Sequence, residues 1–246
     1  MGKSETYKTA TIARFTAGDG PGFWLTIGVA ILLFHLGLFV IPKAFSYFFS
    51  SMPQLRATLF KSALTFSFEA ALAFIFLKYS GVGFKEAYRI FFGDKVSGRE
   101  VLIGTASGIM LFAFAGILFR ISGFGFSGIQ GMSVYFKEMD VYTFLGRIFM
   151  HLTRPVGEEM FFRGFIFTIL AARMQTLKAL IVSSFIFSLS HVNFFNFSFF
   201  AEVLRGVIFF LNASVYCALF GKYKNLISSF CSHSAYNILT SLFYIK

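Results

Sequence analysis

The chain has 246 residues, of which 57% are apolar, 20% aromatic and only 13% charged, whereas soluble domains carry about 25% charged residues. A mean hydropathy of +0.73 and charge-free runs such as 101–119 and 226–245 exclude soluble enzyme folds, since about 20 apolar residues cross the hydrocarbon core of a bilayer. The net charge of +11 is scattered over short loops, which excludes nucleic acid as a partner and assigns the cations to membrane topology and contact with anionic lipid.

Apolar runs predict spans near 23–41, 57–77, 101–119, 141–172, 179–192, 198–220 and 225–245. The expected fold is an all-α polytopic transmembrane helical bundle of about seven helices, because no tract alternates with the period of a membrane barrel. The first run follows Lys3, Lys8 and Arg14 with no small-residue cleavage site behind it, so it reads as a retained span. The segment 78–100 reads as a charged, Gly-rich connector. The fourth run is too long for one straight span, and Pro155 within it removes a backbone donor, which predicts a kink or break. The fifth run is short, and its exit through Asn193 and Asn196 is expected at membrane depth. Cys217 and Cys231 lie in apolar stretches without CxxC spacing, which offers neither a disulfide framework nor a zinc knuckle. Lys and Arg divide too evenly between the two sides to set an orientation.

Polar residues at membrane depth carry the functional signal, because a central charge costs about 2.5–3.5 kcal/mol on insertion scales. In Gly157-Glu158-Glu159-Met160-Phe161-Phe162-Arg163-Gly164, Glu159 and Arg163 are four apart and predict an ion pair on one helical face. Glu158 points about 100° away, and is expected to be a carboxylate free to face a cavity. The second cluster is Phe187-Ser188-Leu189-Ser190-His191, and the third is His233-Ser234-Ala235-Tyr236-Asn237, with His and Asn four apart. Counted from Arg173, Lys178 and Lys224, these groups lie roughly 14–22 Å from one membrane face at about 1.5 Å per residue. Similar depth on three antiparallel helices predicts one shared buried site.

The patterns EExxxR at Glu158–Arg163, FxxxH at Phe187–His191 and HxxxN at His233–Asn237 resemble the motifs of the CPBP family, the CAAX proteases and bacteriocin-processing enzymes also called Abi. The resemblance covers roughly residues 140–245 and divides the chain into N-terminal transmembrane helices, 1–140, and a CPBP-like catalytic core, 141–246. It implies an intramembrane endopeptidase in which Glu158 and His191 activate water while His233 and Asn237 hold the oxyanion. The implied substrate is a membrane-associated peptide, a leader peptide or a lipidated, for instance prenylated, protein. Independently of the family, a carboxylate beside a His can act as general base and then acid. A second His with an Asn amide supplies the donors that a tetrahedral oxyanion needs.

Other readings of the same residues are distinct. A buried hydrogen-bonded network would explain polar groups in lipid but predicts no particular spacing. A non-catalytic CPBP-like scaffold would keep the fold for partner binding, and a small transporter using Glu158 as proton carrier would call for inverted repeats, which the sequence lacks. No cofactor is expected. Were a divalent metal such as zinc to bind, Glu158, His191 and His233 would be its ligands, although the HExxH helix is absent. Gly125-Phe126-Ser127-Gly128 imitates a serine-protease pattern but reads as a turn, and Gly18-Asp19-Gly20 lies in a polar tail. Cys231 is two residues from His233 and reads as apolar packing. His35 and His151 read as structural histidines, Glu69 as neutralised by nearby Lys61, and Glu202 as paired with Arg205.

Overall fold

A computed structural model describes residues 21–93, 95–122, 141–192 and 199–243. In chain order the elements are α1 (Pro21–Phe48), α2 (Gln54–Tyr79), α3 (Phe84–Phe92), α4 (Gly98–Ile121), α5 (Val141–Glu159), a π-helical segment (Met160–Phe167), α6 (Thr168–Arg173), α7 (Thr176–Leu189), α8 (Phe199–Tyr223) and α9 (Ile227–Phe243). Among the described residues there is no strand. Each predicted span coincides with a helix, and α1, α2, α4 and α8 are long and apolar enough to cross a membrane. The protein is a multi-pass integral membrane protein with an all-α fold.

Two features differ from the sequence reading. The connector 78–100 contains α3, a nine-residue helix whose buried Ala87 and Phe91 dock on the bundle while Lys85, Glu86 and Tyr88 stay on its outer side. Its amphipathic face was masked by the charges around it. Second, the helix runs unbroken through Pro155. The irregularity falls five residues later, where the winding loosens to the π form over Met160–Phe167. A π segment accommodates an extra residue per turn without breaking the chain of backbone bonds.

Local chemistry sets the element boundaries. Ser97 caps α4: its Oγ accepts from the Glu100 backbone N–H at 3.3 Å and donates to Glu100 Oε1 at 3.2 Å, a reciprocal arrangement typical of helix starts. Glu100 Oε2 in turn accepts from Asn225 Nδ2 at 2.8 Å, tying the start of α4 to the turn before α9. Packing then extends from that tie. α4 lies along α9, and a Cβ on Gly104 or Gly108 would collide with the backbone carbonyls of Ser228 or Ser232. The Gly104-xxx-Gly108 spacing thus lets two helix backbones approach, as small residues do in membranes. α2 lies along α5, with Gly157 pressed on the side chain of Glu69.

The core is built of aromatic rings around the π segment. Phe161, Phe162 and Phe165 are fully buried. Phe161 stacks on Phe34 of α1 at 4.4 Å, Phe165 on Phe76 of α2 at 5.3 Å, and Phe162 meets Phe187 of α7 edge-on at 4.9 Å. Helices from both halves of the chain thereby hold the segment that carries the acidic motif. Asn193, Asn196, Ser127 with its flanking glycines, Gly18-Asp19-Gly20 and the basic residues Lys3, Lys8 and Arg14 lie outside the described residues.

Candidate active site

The end of α5, the end of α7 and the middle of α9 converge on one point. Glu158 Oε2 stands 3.8 Å from His191 Nε2 and 3.7 Å from His233 Nε2. Glu158 and His233 are each 3% exposed, and Glu159 and Arg163 are fully buried. Three of the four residues named as catalytic from sequence are thus brought together by separate helices. Asn237 follows one turn beyond His233 on α9 and is half-buried.

The far nitrogen of each imidazole fixes its orientation. His191 Nδ1 lies 2.9 Å from the Phe187 carbonyl oxygen, which can only accept, so Nδ1 carries the hydrogen and Nε2 turns a lone pair toward Glu158. Ser190 Oγ, 3.0 Å from the same Nδ1, steadies the ring further. On α9, His233 Nδ1 donates to Glu159 Oε1 at 2.9 Å, which leaves its Nε2 as the atom facing Glu158. The FxxxH spacing places the Phe187 carbonyl one helical turn before the imidazole that it orients.

Glu159 also pairs with Arg163, 3.1 Å from Nη1 to Oε1, the ion pair that the EExxxR spacing predicts. The guanidinium is sandwiched between rings, with its carbon 4.4 Å from the Phe187 centroid and 5.0 Å from that of Tyr216. A cation so placed is held by ring quadrupoles as well as by the carboxylate.

Glu158 differs from expectation, because it is not a free carboxylate. Arg154, one turn earlier, donates from Nε to Glu158 Oε1 at 2.9 Å. The Arg154 side chain is 49% exposed while Glu158 is 4% exposed, so the guanidinium reaches the buried acid from the rim and leaves Oε2 to the histidines. The i,i+4 spacing that identified Glu159–Arg163 applies equally to Arg154–Glu158, and was the available signal.

Glu69 is a second correction. Lys61 donates to Ser46 Oγ at 2.7 Å instead, whereas Glu69 is fully buried with neither oxygen hydrogen-bonded. It abuts Gly157, so the N-terminal helices place a carboxyl beside the motif. Lys61 and Glu69 are eight apart, two turns along α2, and longer than a single side-chain contact spans. His151 lies two turns before Glu158 on α5 and is partly buried. His35 Nδ1 bonds its own helix at the Ile31 carbonyl, 2.7 Å, as a structural histidine does. Glu202 pairs with Arg205 at 3.2 Å. Cys231 packs toward Gly104 of α4, in keeping with an apolar packing role.

The fit of a metal ion can be tested on the donors. Tetrahedral zinc, with bonds of about 2.0–2.2 Å, holds its ligand atoms about 3.4 Å apart. Glu158 Oε2 is 3.7 and 3.8 Å from the two Nε2 atoms, and among the described residues no group of three or more His, Cys, Asp or Glu is arranged to hold a metal. The set as placed is therefore wider than a closed zinc shell.

No curated protein and no solved structure matches the chain. The segment that supplies α5 to α9, residues 140–239, matches the family model of the type II CAAX prenyl endopeptidase Rce1-like proteins. This part of the chain, which holds all three motifs, is similar to the Rce1-like proteins, in line with the CPBP resemblance.

Proposed function

We propose that the protein is an intramembrane endopeptidase that hydrolyses a peptide bond of a membrane-associated substrate, a lipidated or prenylated protein or a leader peptide, using Glu158 and His191 to activate water. The observation that carries the reading is the convergence of His191 Nε2 and His233 Nε2 within 3.8 Å of Glu158 Oε2, while each Nδ1 is committed elsewhere. A buried network made only for stability would close such a gap with direct hydrogen bonds, which end near 3.2 Å for N–H···O. At 3.7–3.8 Å these atoms stand beyond direct hydrogen-bond reach, which leaves them to meet through a water on their common side.

In this reading Glu158 takes a proton from the bound water as the oxygen attacks the carbonyl carbon, and His191, accepting at Nε2, orients that water. Glu158 then returns the proton to the departing amine. His233 answers the oxyanion together with Asn237. Because His233 Nδ1 donates to the Glu159 carboxylate, its Nε2 is the atom left to face the reacting groups, and it donates to the oxyanion when the ring carries both hydrogens. Glu159 and Arg163 therefore support the site, and Arg154 holds Glu158 by one oxygen so that the other stays aimed at the gap. No step is routed through a metal.

The test is cleavage of a peptide library by detergent-purified protein, with prenylated and unprenylated members compared. Glu158→Gln and His191→Ala should each abolish cleavage while thermal unfolding stays nearly unchanged, because both residues act on water. Turnover retained in either variant overturns the mechanism. A wild-type protein that cleaves nothing, yet binds the same peptides, would favour the non-catalytic scaffold.

A further inference from the structure

α8 carries none of the three motifs, yet it touches both histidines. The ring of Phe209 lies 4.3 Å from that of His191, at 32° between planes. The ring of Tyr216 lies 4.9 Å from that of His233 at 18°, a parallel stack. Phe209 and Tyr216 are seven apart, two turns of one helix, and so present the same face. That face meets His191 from α7 and His233 from α9, two residues delivered by different elements.

A hydrogen bond at Nδ1 fixes one edge of an imidazole but leaves the tilt of the ring about that bond soft, since the torsion that turns a histidine ring has broad minima. A flat aromatic surface removes that freedom. His191 has Phe187 at 4.4 Å, from its own helix, and Phe209 as a second ring. Tyr216 is 1% exposed, and its hydroxyl has no hydrogen-bond partner, so what this side chain contributes at the site comes from its ring. Ser188 Oγ donates to the Gly206 carbonyl at 2.7 Å, which sets the register of α8 against α7 one turn before Phe209.

We infer that Phe209 and Tyr216 are positioning residues, two aromatic platforms on one face of α8 that set the ring planes of His191 and His233 so that both Nε2 atoms point at Glu158. The inference rests on the reading of those histidines as the reacting groups. It adds to the site a helix that no motif marks, and explains a spacing of seven between aromatics in the middle of that helix. It also makes the two platforms a unit, because sliding α8 by one residue would withdraw both rings together.

Two readouts test it. With the peptide substrate, Phe209→Leu and Tyr216→Leu should each lower kcat about tenfold or more with KM within about twofold, since small misplacements of reacting groups cost rate without costing binding. Tyr216→Phe, which keeps the ring and drops the unpartnered hydroxyl, should restore kcat to within about threefold of wild type. In parallel, nitrogen-15 spectra of imidazole-labelled protein, assigned by single His→Gln variants, should show one sharp set of ring signals for His191 and for His233, with Nδ1 protonated, in wild type and Tyr216→Phe. The Leu variants should show ring signals broadened by exchange among tilts for the histidine that has lost its platform, with Nδ1 still protonated. Sharp ring signals with unchanged kcat in both Leu variants overturn the proposal, as does a Tyr216→Phe enzyme as impaired as Tyr216→Leu. Should Tyr216→Leu fail to fold through loss of its contact with Arg163, the partly buried Phe209 supplies the same test. The spectra do not depend on turnover, so a protein that cleaves nothing but whose His191 signals broaden on Phe209→Leu refutes the protease reading alone.

Discussion

Replacing Arg163 by Met isolates one partner of a fully buried ion pair. Arg163 and Glu159 are both fully buried, and their ion pair spans 3.1 Å, so removing the cation strands a carboxylate without access to water. Breaking a buried pair in this way costs about 3–5 kcal/mol. The lost contacts with the Phe187 and Tyr216 rings add up to about 2 kcal/mol for a desolvated cation, partly offset by the apolar packing of the Met side chain. Glu159 keeps the hydrogen bond from His233 Nδ1, which holds the total toward the lower end, at about 4 kcal/mol. For a chain of this size, about 2–4 °C per kcal/mol gives a fall of about 8–16 °C in the unfolding temperature. The assay is thermal unfolding in one detergent, with folded yield as a second measure. Glu159→Gln combined with Arg163→Met should regain more than half of the loss, because the amide oxygen still accepts from His233 and no charge is left buried. Glu158→Gln combined with Arg163→Met should regain nothing. An Arg163→Met protein that unfolds within about 2 °C of wild type refutes the reasoning. Rescue by Glu158→Gln would mean that the two acids have been assigned to each other's roles.

Two further predictions follow from the geometry. Prolonged dialysis against a chelator should leave cleavage within about twofold of the untreated enzyme, because the donors around Glu158 are spread wider than a zinc shell; loss of activity restored by added zinc would show that the gap closes around a metal. Gly108→Leu should lower the unfolding temperature and abolish cleavage together, since its side chain must displace the Ser232 carbonyl and with it the helix bearing His233. Gly28→Ala, where a Cβ meets nothing within 4 Å, is the control and should be neutral or slightly stabilising; equal behaviour of the two variants would contradict the close approach of α4 and α9.

Helix identity was legible because lipid demands long apolar runs, and every run of that kind became a helix. α3 was not, because its docking face is only two buried residues wide, Ala87 and Phe91, set among Lys85, Glu86 and Arg89. At the site, spacing within a helix proved reliable in one direction. Glu159–Arg163 was read from four-residue separation, while Arg154–Glu158, with the same separation, was passed over because Arg154 stood outside the motif. Contacts between helices were beyond the reach of spacing altogether. Lys61 and Glu69 share a helix in sequence, yet what decides their environments is Ser46 of α1 on one side and Gly157 of α5 on the other. The stacking of α8 rings on the two histidines belongs to the same class, since nothing in the order of residues from Phe209 to Tyr216 announces which helices they will face.

The π-helical stretch gives the chain one place where its length can change without turning the helix that follows. A π turn is an α-helix holding one residue more than its hydrogen-bond ladder wants, and here that surplus is kept in place by Phe161, Phe162 and Phe165, each wedged among rings from α1, α2 and α7. Deleting a single residue between 164 and 167 would let the segment relax to ordinary winding without leaving a gap in the backbone. Because the surplus residue is what is removed, the helix beyond it would keep its phase, with Ile169 and Leu170 still buried and α7 still set toward the acidic pair. Point substitutions within 164–167 meet the tighter constraint, since Phe165, Ile166 and Phe167 are buried and a Cβ on Gly164 would collide with the ring of Phe91.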